Sequence, residues 1–173
     1  DSINTFDNAR HKIKTLLEGR GVESNNIRML SVNPDEAIGE TLPTTLENMT
    51  TSLDKLGVRS SDACLVHMTS HGSHDGFFYI KPNTKLTPAI LNKMLEQTCG
   101  DQPTVVMVSA CYSGVFAEGE MQKPNRVILT AARNDRPSFG CSPGETYTYW
   151  DGCLIQELPG ATSWKGLYDS ISS

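Results

Sequence analysis

The sequence predicts an α/β fold in which a mainly parallel sheet is covered by helices on both faces. Three observations carry that expectation. Cys64–Met68 (CLVHM), Thr104–Ala110 and Arg126–Ala131 (RVILTA) are short, continuously apolar runs, the pattern of strands buried on both sides. Between them stand segments whose apolar residues recur at three- and four-residue steps, the period of a helix. Strands alternating with helices require right-handed crossovers and hence parallel neighbours. At 173 residues the chain has length for one domain with a two- or three-layer core.

Taken in order, Phe6, Ala9, Ile13, Leu16 and Leu17 predict an amphipathic helix over 6–18, stopped by Gly19 and Gly21. Residues 27–32 are apolar enough for a strand. Thr44 and Glu47 have capping-box spacing, and Leu46, Met49, Leu53 and Leu56 then mark one buried face before Gly57. After the strand Cys64–Met68, SHGSHDG is turn chemistry, and Asp75-Gly76 leads into FFYI, which predicts a small hairpin. Thr87 as N-cap and Pro88 at the first helical position open a helix carrying Ile90, Leu91, Met94 and Leu95 and closed by Gly100. Residues 115–125 read as an exposed loop, 134–146 as a long, Gly/Pro/Ser-bearing loop, and Tyr149–Leu158 and Trp164–Ile171 as closing helices.

The formal charge of −5 comes from 15 basic and 20 acidic residues with no basic cluster, a balance that excludes a phosphate-tracking surface and nucleic acid as a partner. No apolar run approaches the roughly 18–20 residues of a membrane-spanning helix. The five cysteines, Cys64, Cys99, Cys111, Cys141 and Cys153, show no C-x-x-C pairing, which argues against a structural metal. An odd count leaves at least one thiol free. A disulfide framework is not expected, although one bridge such as Cys141–Cys153 is compatible with the spacing. Cys64 and Cys153 read as packing residues.

In such sheets, ligands bind beyond the carboxyl ends of the strands. If the strands Cys64–Met68 and Thr104–Ala110 are parallel neighbours, their exits, Ser70-His71-Gly72 and Cys111-Tyr112-Ser113-Gly114, emerge side by side. An imidazole then meets a thiol, and a histidine that accepts the thiol proton makes Cys111 a nucleophile with His71 as its acid/base. The backbone N–H groups of Gly72 and Cys111 are candidate donors to the oxyanion of an attacked amide. A metal cluster of His67, His71, His74 and Asp75 is the weaker reading, because His67 lies inside a strand and His74 in a turn. Serine catalysis is weaker still, since no G-x-S-x-G elbow is present.

These residues resemble the legumain-like cysteine peptidases of the caspase-like superfamily. Thr69–Ser73 (TSHGS) is similar to that family's T-x-H-G-S, and Ser109–Gly114 (SACYSG) to its E-A-C-x-S-G. Caspases proper carry Q-A-C-x-G with the histidine about 50 residues upstream; here the interval is about 40. Thr130–Cys141 (TAARNDRPSFGC) resembles the T-A-A-x-x-x-x-S-x-x-C segment that helps form the specificity pocket. The resemblance implies a caspase-like three-layer α/β/α sandwich, a cysteine endopeptidase acting through a thioester, catalytic Cys111 and His71, an oxyanion hole at Gly72 and Cys111, no cofactor and no metal. It implies a peptide or protein substrate and points to a compartment outside the cytosol.

The sequence departs from the family at three places. Ser109 stands where legumains have an acid, Pro137-Ser138 where they have paired serines, and Arg10 about a turn beyond their helix-start arginine. Ser109 and Ser138 are still expected to contact the substrate. Asp151 has two readings, an acid beneath the substrate side chain or a carboxylate favoured by a helix N-terminus. The whole of 1–173 is expected to be one peptidase domain whose first central strand lies upstream of residue 1. The same dyad serves a transamidase or peptide ligase, and a catalytically idle binding module is the alternative from another class.

Overall fold

The computed structural model describes residues 3–75, 77–81, 84–138 and 145–172. Its elements are α1 (Ile3–Gly19), β1 (Met29–Ser31), β2 (Thr41–Pro43), α2 (Leu46–Asp54), β3 (Cys64–Thr69), β4 (Gly72–Ser73) and β5 (Phe77–Lys81). Then follow β6 (Thr84–Leu86), α3 (Pro88–Thr98), β7 (Thr104–Ser109), β8 (Arg126–Thr130), α4 (Tyr149–Glu157) and α5 (Trp164–Ser172). β3, β7 and β8 form a parallel sheet with β7 in the middle, and β1 and β2 form a separate parallel pair. The predicted hairpin is an antiparallel sheet of β4, β5 and β6; Gly76 of its expected turn lies outside the described residues.

Alternation along the parallel strands sorts the core into two layers. Cys64, Met68, Val106 and Val108 pack with Leu91 and Leu95 of α3 and with Leu46 and Met49 of α2. Leu65, Val105, Met107 and Leu129 face Ile13 of α1, Trp150 and Leu154 of α4 and Leu167 of α5. Helices therefore cover both faces of the sheet, and all six residues of β7 are buried, which is why its centre, residues 105–108, is continuously apolar. The α/β class and the three-layer arrangement are those the sequence predicts. Each fully buried leucine or valine contributes about 1.5–3 kcal/mol.

The differences are local. The cap of α2 is Thr45, whose side chain accepts from the Asn48 N–H at 3.0 Å, one residue later than predicted. Thr87 accepts from Ile90 N–H and Pro88 occupies the first turn of α3. Residues 115–125 are not an exposed loop: two 3₁₀ turns, Ser113–Ala117 and Gly119–Met121, carry Phe116 and Met121 into the core on the α3 side. Apolar residues placed singly leave no periodic signal. Cys64 is not merely a packing residue either; it forms a disulfide with Cys99, tying the start of β3 to the end of α3. Cys153 carries a free thiol, and Cys141 lies outside the described residues.

A cavity of about 750 Å³ separates α1, β1 and α2 from β3. Among the described residues, neither β1 nor β3 has a partner strand on its second edge.

Candidate active site

Register fixes the rim. Thr69 of β3 pairs with Ser109 of β7, and the Ser70 N–H donates to the Ser109 carbonyl at 3.1 Å. His71 and Cys111 each lie two residues beyond that last paired rung, on the same end of the same sheet. Gly72 shows how closely the two exits pack. A Cβ at this position would lie 1.9 Å from the Cys111 carbonyl oxygen, 2.9 Å from its carbonyl carbon and 3.2 Å from the Ala110 Cβ. Only a residue without a side chain permits that approach of backbone to backbone.

Beyond Cys111 the chain turns sharply. Tyr112 is held at φ 55°, ψ 19°, a left-handed conformation that costs a non-glycine residue about 1–2 kcal/mol. Three contacts hold it there. The Tyr112 N–H donates to the Arg136 carbonyl at 3.0 Å, and its ring meets His74 edge-on with centroids 6.0 Å apart. Ser113 Oγ accepts from the Ala132 N–H at 3.1 Å. Gly114 lets the 133–134 backbone come close, since a Cβ there would lie 2.4 Å from Asn134 N. The Ser-Gly that follows the cysteine thus fastens this turn to the loop after β8.

The Cys111 side chain is half-buried, and its thiol donates to the Ser138 carbonyl at 3.7 Å. Ser138 therefore stands beside the sulfur. The His71 residue is exposed, and its ring packs edge-on against Phe6 of α1, centroids 5.3 Å apart. The other imidazoles point elsewhere: Nδ1 of His74 pairs with Asp75 at 2.6 Å, and His67 with Asp151. Among the described residues no group of three or more His, Cys, Asp or Glu side chains could hold a metal ion.

Beneath the rim lies a polar network. Asp151, in the first turn of α4, is fully buried. Its Oδ1 accepts from His67 Nε2 at 2.9 Å, and its Oδ2 from the hydroxyls of Thr69 at 2.6 Å and Thr148 at 2.9 Å. Thr148 Oγ1, the helix cap, accepts from the Asp151 N–H at 3.0 Å and is 3.0 Å from Ser109 Oγ. Because the Thr148 proton is committed to the carboxylate, Ser109 donates to Thr148. Burial pushes the Asp151 carboxyl upward. The hydrogen bond and charge of His67, with the two threonine hydroxyls, outweigh that and hold it below the ordinary carboxylate value.

This placement bears on two expectations. Asp151 has no exposure, and both its oxygens are occupied by hydrogen bonds. Ser109, about 2% exposed, turns its hydroxyl down to Thr148 rather than out to the rim. Both readings of Asp151 rest on its local sequence, whereas its partner His67 lies on β3. The available signal was alternation: His67 and Thr69 share one face of their strand, and that face must meet a helix.

The His71 imidazole and the Cys111 thiol thus stand on adjoining exits of one parallel sheet. Residues 44–158 match the peptidase C13 family, and the chain belongs to it, the legumain family of cysteine peptidases. None of the curated proteins compared with the chain matches it. The matched span contains His71, Cys111 and Asp151 alike. Family membership implies a protein substrate, and among the described residues no helix is long and apolar enough to cross a membrane.

Proposed function

We propose that the chain is a cysteine endopeptidase that hydrolyses peptide bonds through a thioester, with Cys111 as nucleophile and His71 as general acid/base. The observation that carries this reading is the backbone contact between Gly72 and Cys111, which supports a shared rim for the two exits. In acylation, the Cys111 sulfur attacks the scissile carbonyl carbon while His71 takes the thiol proton. The oxyanion is stabilised by the backbone N–H groups of Gly72 and Cys111. The carbon–nitrogen bond then breaks, His71 protonates the leaving amine, and the acyl group remains on sulfur. In deacylation, water attacks the thioester, His71 accepts its proton, and the freed thiolate recovers a proton from the imidazolium.

Ser138 forms one wall of the pocket for the residue before the cut, supported by its contact with the Cys111 thiol. Ser109 and Asp151 shape that region from below. The Cys64–Cys99 disulfide supports an oxidising compartment rather than the cytosol. Transfer of the acyl group to an amine uses the same dyad and is read by adding an amine acceptor to the assay.

The test is labelling with a peptide bearing a thiol-reactive warhead, alongside a fluorogenic peptide library. Labelling and turnover are expected in the unaltered chain and in Cys153→Ala, and absent in Cys111→Ala. His71→Ala is expected to lose turnover and to slow labelling strongly. Turnover that survives Cys111→Ala would overturn the proposal.

A further inference from the structure

The two strand exits of the site share one buried anchor. Thr69 precedes His71 by two residues and donates straight to Asp151 Oδ2; Ser109 precedes Cys111 by two residues and reaches the same oxygen through Thr148. The proton arrangement is complete. Three donors meet an ionised carboxylate, and Thr148 gives one hydrogen bond while receiving two. His67, with its side chain about 7% exposed, is a hydrogen-bonding partner that helps make a fully buried carboxylate tolerable. Charge, hydroxyls and helix cap converge from β3, β7 and α4 on a single group.

We infer that Asp151 is a positioning residue for the proposed peptidase site, holding the ends of β3 and β7 at the spacing that His71 and Cys111 need, with His67 as its obligate partner. The inference rests on the peptidase reading but makes a separate demand. Asp151 touches neither the substrate nor the reacting atoms, so its removal must lower the rate at each intact Cys111 rather than merely the number of folded molecules. Displacement of a reacting group by about 1 Å costs on the order of 10²-fold in rate. The network therefore matters through sub-ångström placement.

The experiment compares the unaltered chain with Asp151→Asn, Thr69→Val and the double variant His67→Gln/Asp151→Asn. Folded sites are counted by warhead titration, and kcat and KM are then measured per titrated site. The expected result is a kcat per site about tenfold or more lower in Asp151→Asn, with KM little changed. A smaller loss is expected in Thr69→Val and partial recovery in the double variant, whose neutral amides can pair. A per-site kcat equal to that of the unaltered chain in both Asp151→Asn and Thr69→Val would overturn the inference. If Asp151→Asn does not fold, the milder Thr69→Val decides. If the unaltered chain shows no Cys111-dependent turnover, the peptidase reading fails. The anchor is then judged by iodoacetamide alkylation of Cys111, expected to slow in the variants and refuted by an equal rate.

Discussion

Replacing Gly72 by alanine perturbs a close backbone contact between the two exits. The new Cβ would lie 1.9 Å from the Cys111 carbonyl oxygen and 2.9 Å from its carbonyl carbon. Both are backbone atoms, so no side chain can swing aside. One exit must withdraw by about 1 Å, and a displacement of that size at a reacting centre costs on the order of 10²-fold in rate. The accompanying overpacking costs about 1–3 kcal/mol of stability. The assay is kcat/KM on a fluorogenic peptide, normalised to titrated Cys111, with Tm measured in parallel. Gly152→Ala is the control, because it lies in α4 with nothing within 4 Å of its added Cβ. Alanine in a helix interior is favoured over glycine by about 1 kcal/mol, so the control keeps its activity and gains stability. A Gly72→Ala variant with kcat/KM within about twofold of the unaltered chain would refute the role given to this contact.

Three further outcomes follow from other parts of the structure. Removing the disulfide with Cys64→Ala/Cys99→Ala opens a loop whose ends are 35 residues apart, and urea unfolding is expected to show a loss of about 3–4 kcal/mol; an unchanged midpoint would refute a stabilising bridge. The Asp151 carboxyl titrates below its ordinary 3.8, so the stability it contributes is complete above that pH and is lost as pH falls below it. Asp151→Asn therefore flattens the acid limb of the stability profile, and a limb of unchanged slope would contradict the network. The cavity of about 750 Å³ is bounded by β1 and β3, whose second edges are unpaired among the described residues, and Asp7 Oδ2, buried on its wall, has no hydrogen-bond partner among them. At ~3.3 Å rise, ~4.8 Å between strands and ~10 Å between layers, an extended residue fills about 160 Å³, so the space takes about five. An apolar five-residue segment fused ahead of residue 1 through a flexible linker is expected to raise Tm and protect β3 amides from exchange; unprotected amides would refute it.

What the sequence reveals of this molecule depends on how far each cause reaches along the chain. β7 is legible because burial on both faces leaves a continuous apolar run, and α3 because Thr87, Pro88 and Gly100 mark its limits locally. The rim is legible for the same reason: His71 and Cys111 each follow an apolar strand at once, and parallel pairing of neighbours brings their exits together. β2 leaves no sequence signal because three residues, Thr-Leu-Pro, carry no period, and neither do the buried Phe116 and Met121, because single apolar residues in 3₁₀ turns look like loop. The Cys64–Cys99 bridge joins two element ends that no spacing rule pairs.

The His67–Asp151 network is the most instructive omission. Its parts were each visible as a strand histidine and an acid at a helix start, but their partnership spans 84 positions and exists only once α4 lies across the sheet. Local patterns thus specify which residues reach the rim, whereas the groups that hold the rim in place are set by tertiary packing. For that reason the dyad can be proposed from motifs alone, while its spacing has to be argued from the carboxylate beneath it. Breaking a buried, hydrogen-bonded pair by removing one partner costs about 3–5 kcal/mol, more than exchanging Thr69 for valine. The order of damage expected, Asp151→Ala above Asp151→Asn above Thr69→Val, follows from how many of the three donors lose their acceptor in each case.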